Sequence, residues 1–408
     1  MKYGLRLSSM QHCSIIAFIC ATCLPFTEVT LCFGGDSQAP GRVPDFYGDV
    51  QIIVGKTTRV AVMGMNGSLA CWTPATGDVL HREVSSGHEI HRMYKSLDGK
   101  DLLVSTEEHY VQGGYQHHTD LDRSTRRLFV YNAASMVLTC KCDAPAGPCL
   151  GAWNGTNLAV LACFGSSMSG RHDQIAAFRI QAGKAAELAR FRVPANDWRI
   201  HGVRCFAEGS ALVHYSLMSG DSGTSELAVY DCLTGETTAR CVTTCATKYT
   251  ERTAVSRNGR YCTAVGDKTC ELRVLPSLEL VERLSQSPPD ALQSVAVSDS
   301  GRFVAMGGIC VALWDVSNRQ YRILDALDSD LIRSKARLSP EEAGPFGELY
   351  AYIELCVGDL AFSDDEKELL VVTRKGIYTI WDTATWQRQR TFAYPLRRVS
   401  VHDDRGHD

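Results

Sequence analysis

Two short stretches of this 408-residue chain gather side chains able to do chemistry. In HYVQGGYQHHTDLDR, His117, His118, Asp120 and Asp122 fall close together, between Tyr110 and Tyr115 on one side and Arg123 on the other. Imidazoles and carboxylates are metal donors, but adjacent histidines do not readily aim at one centre, and zinc sites draw on spaced pairs of ligands. No distant partner completes the set, so the stretch reads as a polar loop between two strands. Arg171, His172 and Asp173 form a second group of the same kind. Tyr110, Tyr115, His117, His118, Arg123, Arg171 and His172 are therefore candidate binding residues, with the aromatic and cationic character of interface anchors.

Nucleophilic catalysis needs a Ser or Cys on a sharp turn, a His to activate it and a carboxylate to orient that His. The Ser-Gly stretches GSSMSG (165–170) and MSGDSG (218–223) lack the Gly-x-Ser-x-Gly strand-to-helix pattern and read as turns. No glycine loop precedes a helix to cradle phosphate. Of the 17 cysteines, many sit inside apolar runs, such as Cys71, Cys163, Cys205 and Cys356, where each acts as a small hydrophobe. Cys140 with Cys142, and Cys241 with Cys245, are spaced for a metal or a disulfide but lack a second pair. No catalytic residue, metal or cofactor is expected.

Composition narrows the partners. With 42 Lys and Arg against 46 Asp and Glu, no positive field draws the chain to nucleic acid. Lys2 and Arg6 precede an uncharged apolar run from Cys13 to Phe26, which is short for a membrane span. Residues 1–35 thus read as a signal peptide or N-terminal anchor and predict export, periplasmic or secreted; the alternative is a cytoplasmic protein with a misassigned start. Any membrane association runs through that anchor.

The elements that must position these groups repeat. In ALQSVAVSDSGRFVAMGGICVALWDVSNRQYRIL, from Ala291 to Leu324, the apolar residues of SVAV and VALW are read as alternating between faces with the period of a sheet. A second copy runs from Gly358 to Phe392. Weaker copies align on a third-strand position at Trp72, Tyr131, Phe178, Tyr230, Val274, Trp314 and Trp381.

Trp314-Asp315 and Trp381-Asp382 give the repeat its resemblance to the WD repeat, in which Trp-Asp ends the third strand. A Gly-His opening occurs once, at Gly87-His88, and no copy carries the family's full set of His, Ser, Asp and Trp. The resemblance implies an all-β fold, a seven-bladed β-propeller of four-stranded antiparallel blades over residues 44–408. A helical insertion is expected at 325–352, and residues 396–402 are expected to join the first blade. It also implies a non-catalytic scaffold for a protein or peptide partner. The alternative is a propeller enzyme or small-ligand binder, such as a lactonase-like hydrolase, with His and carboxylates converging at the central opening.

Strand parity puts first-to-second and third-to-fourth turns on one face, and second-to-third and interblade connections on the other. Short turns such as Asp98-Gly99, Asn258-Gly259 and Ser300-Gly301 fall on the first face, which reads as minimal. The long connections, about 107–126, 164–173, 217–225 and 325–352, fall on the second, the expected binding face.

Overall fold

The computed structural model describes residues 46–393, apart from short stretches between strands and the longer segments 108–125, 218–224, 246–252 and 325–355. Residues 1–45 and 394–408 lie outside it, as do the expected leader, the helical insertion and the tail. No helix among the described residues is long and apolar enough to cross a membrane.

The described strands run in chain order. The first sheet holds β1 (Phe46–Ile53), β2 (Arg59–Gly64), β3 (Ser68–Trp72) and β4 (Val79–Glu83). Next come β5 (Glu89–Lys95), β6 (Asp101–Glu107), β7 (Arg126–Asn132) and β8 (Leu138–Asp143), then β9 (Cys149–Trp153), β10 (Leu158–Ser166), β11 (Arg171–Gln181) and β12 (Lys184–Arg192). The fourth sheet holds β13 (Trp198–Ala207), β14 (Ser210–Leu217), β15 (Ser225–Asp231) and β16 (Thr237–Thr243). The fifth holds β17 (Thr253–Val255), β18 (Tyr261–Val265), β19 (Cys270–Val274) and β20 (Leu280–Leu284). The last two are β21 (Ser294–Val297), β22 (Phe303–Gly307), β23 (Val311–Asp315) and β24 (Gln320–Leu324), and β25 (Val357–Phe362), β26 (Glu368–Thr373), β27 (Ile377–Asp382) and β28 (Arg388–Ala393). Every sheet is a four-stranded antiparallel meander built from one contiguous stretch of chain.

Sequence dictates which strands lie deep. Every residue of β22 and β23 is buried, because a middle strand is covered on both faces by neighbouring sheets, so FVAMG and VALWD read as nearly unbroken apolar runs. The outermost strand of that sheet, QYRIL, is exposed at three of five positions. The core therefore lies between sheets. Trp314 packs with Leu272 and Val265 of the fifth sheet, and Trp381 with Leu313 and Val311 of the sixth. Trp72 and Val60 of the first sheet meet Val372 and Tyr378 of the last, the Trp72 and Tyr378 rings edge to face at 6.3 Å.

Two turns recur at one end of the sheets. The first-to-second turn is closed by a serine: in the fifth sheet, Gly259 N donates to Ser256 O at 2.9 Å and Tyr261 N to Ser256 Oγ at 3.0 Å. Ser96, Ser298 and Ser363 repeat the pattern. The third-to-fourth turn is closed by an Asp or Asn side chain that accepts backbone N–H groups, Asp231 from Leu233 and Thr234, Asp382 from Ala384 and Thr385.

All four described strands of the first sheet come from residues 46–83, and the tail expected to join it lies outside the described residues. Closure between first and last sheets is made by the Trp72–Tyr378 packing and by a bond from Ile52 N to Asp359 Oδ2 at 2.7 Å.

Candidate functional site

The innermost strands enclose a central cavity of about 250 Å³ that opens among the serine turns, since Ser96, Gly99, Arg257, Asp299 and Ser363 stand on its rim or wall. Its polar groups are largely committed to one another. Asp359, buried, accepts from Ile52 N and from Lys95 Nζ at 3.0 Å, and Lys95 Nζ also donates to Ile52 O at 3.0 Å. At the rim Arg257 bonds both Asp299 and Asp364, reaching from the fifth sheet to the sixth and the last. Asn258 N donates to Asp299 Oδ1 at 2.7 Å, and Ser300 bonds Glu366 through N and Oγ. No His lies among the described residues that line the cavity.

This end of the sheets is therefore stitched together, which corrects its reading as merely minimal. The Asn258-Gly259 turn is a structural joint: a Cβ on Gly259 would stand 2.0 Å from Phe206 O of the preceding sheet. Gly259 takes a positive φ of +70° there, which a glycine adopts without a Cβ penalty.

A nucleophile-like group does occur where sequence gave no warning. His214 Nε2 lies 2.7 Å from Ser225 Oγ and its Nδ1 lies 3.1 Å from Thr253 Oγ1. The orienting group is a hydroxyl rather than a carboxylate, and His214 and Ser225 are 0% exposed, so no substrate reaches them. The cluster pins the fourth sheet to the fifth. Glu271 spans the same junction. Burial pushes its carboxyl up, but bonds from Thr243, Arg273 and Thr244 outweigh this and hold it down at about 2. Arg283 adds a second ion pair at 2.9 Å. Such networks join residues far apart in sequence, and no local motif announces them.

Cys140, Cys142, Cys241 and Cys245 are free thiols. Burial raises Cys71 to about 11 and Cys142 and Cys232 to about 12, well above the range of a reactive thiolate.

Of the candidate binding residues, Tyr110, Tyr115, His117, His118 and Arg123 lie in 108–125, outside the described residues. Arg171 and His172 are not in a loop. They open β11 and pair with Ser166 and Gly165 of β10, because a hairpin can extend through polar residues on backbone bonds alone.

No model of a known protein family matches the sequence, and no curated protein matches it. Among solved structures, the β-propeller domain of Cps50 (Swd1) from Myceliophteria thermophila is similar at a TM-score of 0.54 and 15% identity, over 84% of this chain and 98% of that one. A chain of the mitotic checkpoint complex is similar at 0.52 and 13%, over 84% and 93%. At such identities the likeness concerns fold alone, and together with the nested four-stranded sheets it identifies this chain as an all-β protein with a WD40-like β-propeller fold.

Proposed function

We propose that the chain is a non-catalytic scaffold, a closed ring of seven blades that offers one face to a protein or peptide partner. The observation that carries this is the asymmetry of its two ends. One end is occupied by turns bonded to one another through Arg257, Asn258, Asp299, Ser300 and Glu366. At the other end β6 and β7, β14 and β15, and β24 and β25 are separated by 108–125, 218–224 and 325–356. Long connections on a rigid frame are the usual place for binding residues. Tyr110, Tyr115, His117, His118 and Arg123 belong to the longest second-to-third connection, whereas Arg171 and His172 contribute from a strand end at the same face. Residues 1–35 direct export in this reading, which a reporter fused to them tests by its secretion.

Replacing 108–124 with a short Gly-Ser linker tests the binding face, with crosslinking to native partners and thermal melting as readouts. Loss of specific crosslinks at unchanged melting temperature is the expected result, and retained crosslinks in the folded variant overturn it. Lys367→Ala, exposed at the stitched end, is the control expected to keep them.

A further inference from the structure

We propose that the central cavity binds one neutral six-membered ring rich in hydroxyls, a monosaccharide or a cyclitol, entering from the stitched end. This goes beyond the scaffold reading and uses the opposite end of the ring of blades.

Among the described residues the cavity is lined from six of the sheets. Lys95 and Asp359 of its wall are bonded to each other, as are Arg257 and Asp299. A charged ligand must leave water for groups already spent on one another, whereas a neutral one leaves these pairs, and the bonds of Arg204, as they are. What the pairs leave over is hydrogen-bonding capacity of both signs. The Lys95 ammonium has three N–H groups and spends two, on Ile52 O and on Asp359 Oδ2, each at 3.0 Å. Asp359 Oδ1 receives a long bond, 3.4 Å from Ser294 Oγ. Gln293 accepts from Arg374 at Oε1, at 3.0 Å, and its amide N–H groups have no partner among the described residues. The side-chain amide of the half-buried Gln51 has none on either its oxygen or its nitrogen. Hydroxyls answer such a wall because each one both donates and accepts. A sugar ring carries them around its edge and turns apolar C–H faces outward, for which Val54, Val255, Val295 and the Tyr94 ring supply surface. A volume of about 250 Å³ is small for a ligand pocket and holds one such ring, not a disaccharide.

Calorimetry on the full chain tests this with D-glucose, D-galactose, D-mannose and myo-inositol, beside D-glucuronate, which adds a charge, and tetrahydropyran-2-methanol, which lacks the ring hydroxyls. The expected result is binding of at least one of the four neutral polyols, about tenfold or more tighter than either control, and a loss of about fivefold or more in Gln51→Leu and in Gln293→Leu. If neither leucine variant folds, Val295→Trp, which fills the bore, is expected to abolish binding instead. No binding by any of the four, a control binding as well as they do, or unaltered affinity in a folded Gln51→Leu or Val295→Trp overturns the proposal. The 108–124 replacement is expected to leave polyol binding unchanged, so failure at one end is separable from failure at the other.

Discussion

Ile52 and Asp359, 307 residues apart, join the first sheet to the last through a backbone N–H and a buried carboxylate at 2.7 Å. Lys95 reaches the same oxygen from the second sheet and Ser294 Oγ donates to the other at 3.4 Å from the sixth, so one carboxylate joins four sheets. Asp359→Ala leaves the buried Ile52 N–H without its acceptor and Lys95 without its carboxylate, and a loss of about 2 to 3 kcal/mol is expected in urea unfolding. Asp359→Asn, which keeps an acceptor, should lose less. Equal stability of wild type and alanine variant would sink this account of the seam.

Gly259 and Gly77 both hold positive φ, +70° and +80°, but only Gly259 faces backbone, at 2.0 Å from Phe206 O, whereas nothing stands within 4 Å at Gly77. Gly77→Ala should cost about 1 kcal/mol, the penalty of the left-handed region alone. Gly259→Ala should cost several times that, because the turn must move away from the fourth sheet. Melting of the two variants side by side checks the ratio.

Glu271 is held at about 2 in the folded protein against an ordinary 4.5. A depressed carboxyl stabilises the fold fully above about pH 4.5, and that contribution disappears as pH falls towards 2. The stability gap between wild type and Glu271→Gln, on the order of 2 kcal/mol at pH 7, should therefore narrow across that interval. A gap independent of pH would show that the charge is not what matters.

Ser225 lies against His214 yet is wholly buried. A fluorophosphonate reagent should leave it unlabelled in the native protein. Stoichiometric labelling at Ser225 would make the pair catalytic after all.

Cys71, Cys142, Cys232, Cys262 and Cys270 are buried thiols. Mapped alkylation should miss them in the folded state and reach them in denaturant. Protection that persists in denaturant until a reductant is added would instead mean disulfides.

The strand frame was legible because buried middle strands impose their pattern on the sequence. Trp72, Tyr131, Phe178, Tyr230, Val274, Trp314 and Trp381 all fall on third strands. The strand ends at Glu107 and Arg126 also coincide with the expected loop. Arg171 and His172 misled because backbone pairing needs no apolar side chain, so polarity hid the end of a hairpin. The His214 and Glu271 clusters and the Arg257 rim were invisible for a different reason: their partners meet only when neighbouring sheets stack.

Since each sheet is made from one unbroken length of chain, no strand among the described residues crosses the junction between first and last. Under tension applied to the first and last described strands, the ring has a built-in point of entry: the load falls first on side-chain packing around Trp72 and on the Asp359 bonds, with no ladder among the described strands there to share it. Force should open the circle at that junction and then strip the sheets one after another, giving a sawtooth extension trace rather than a single rupture.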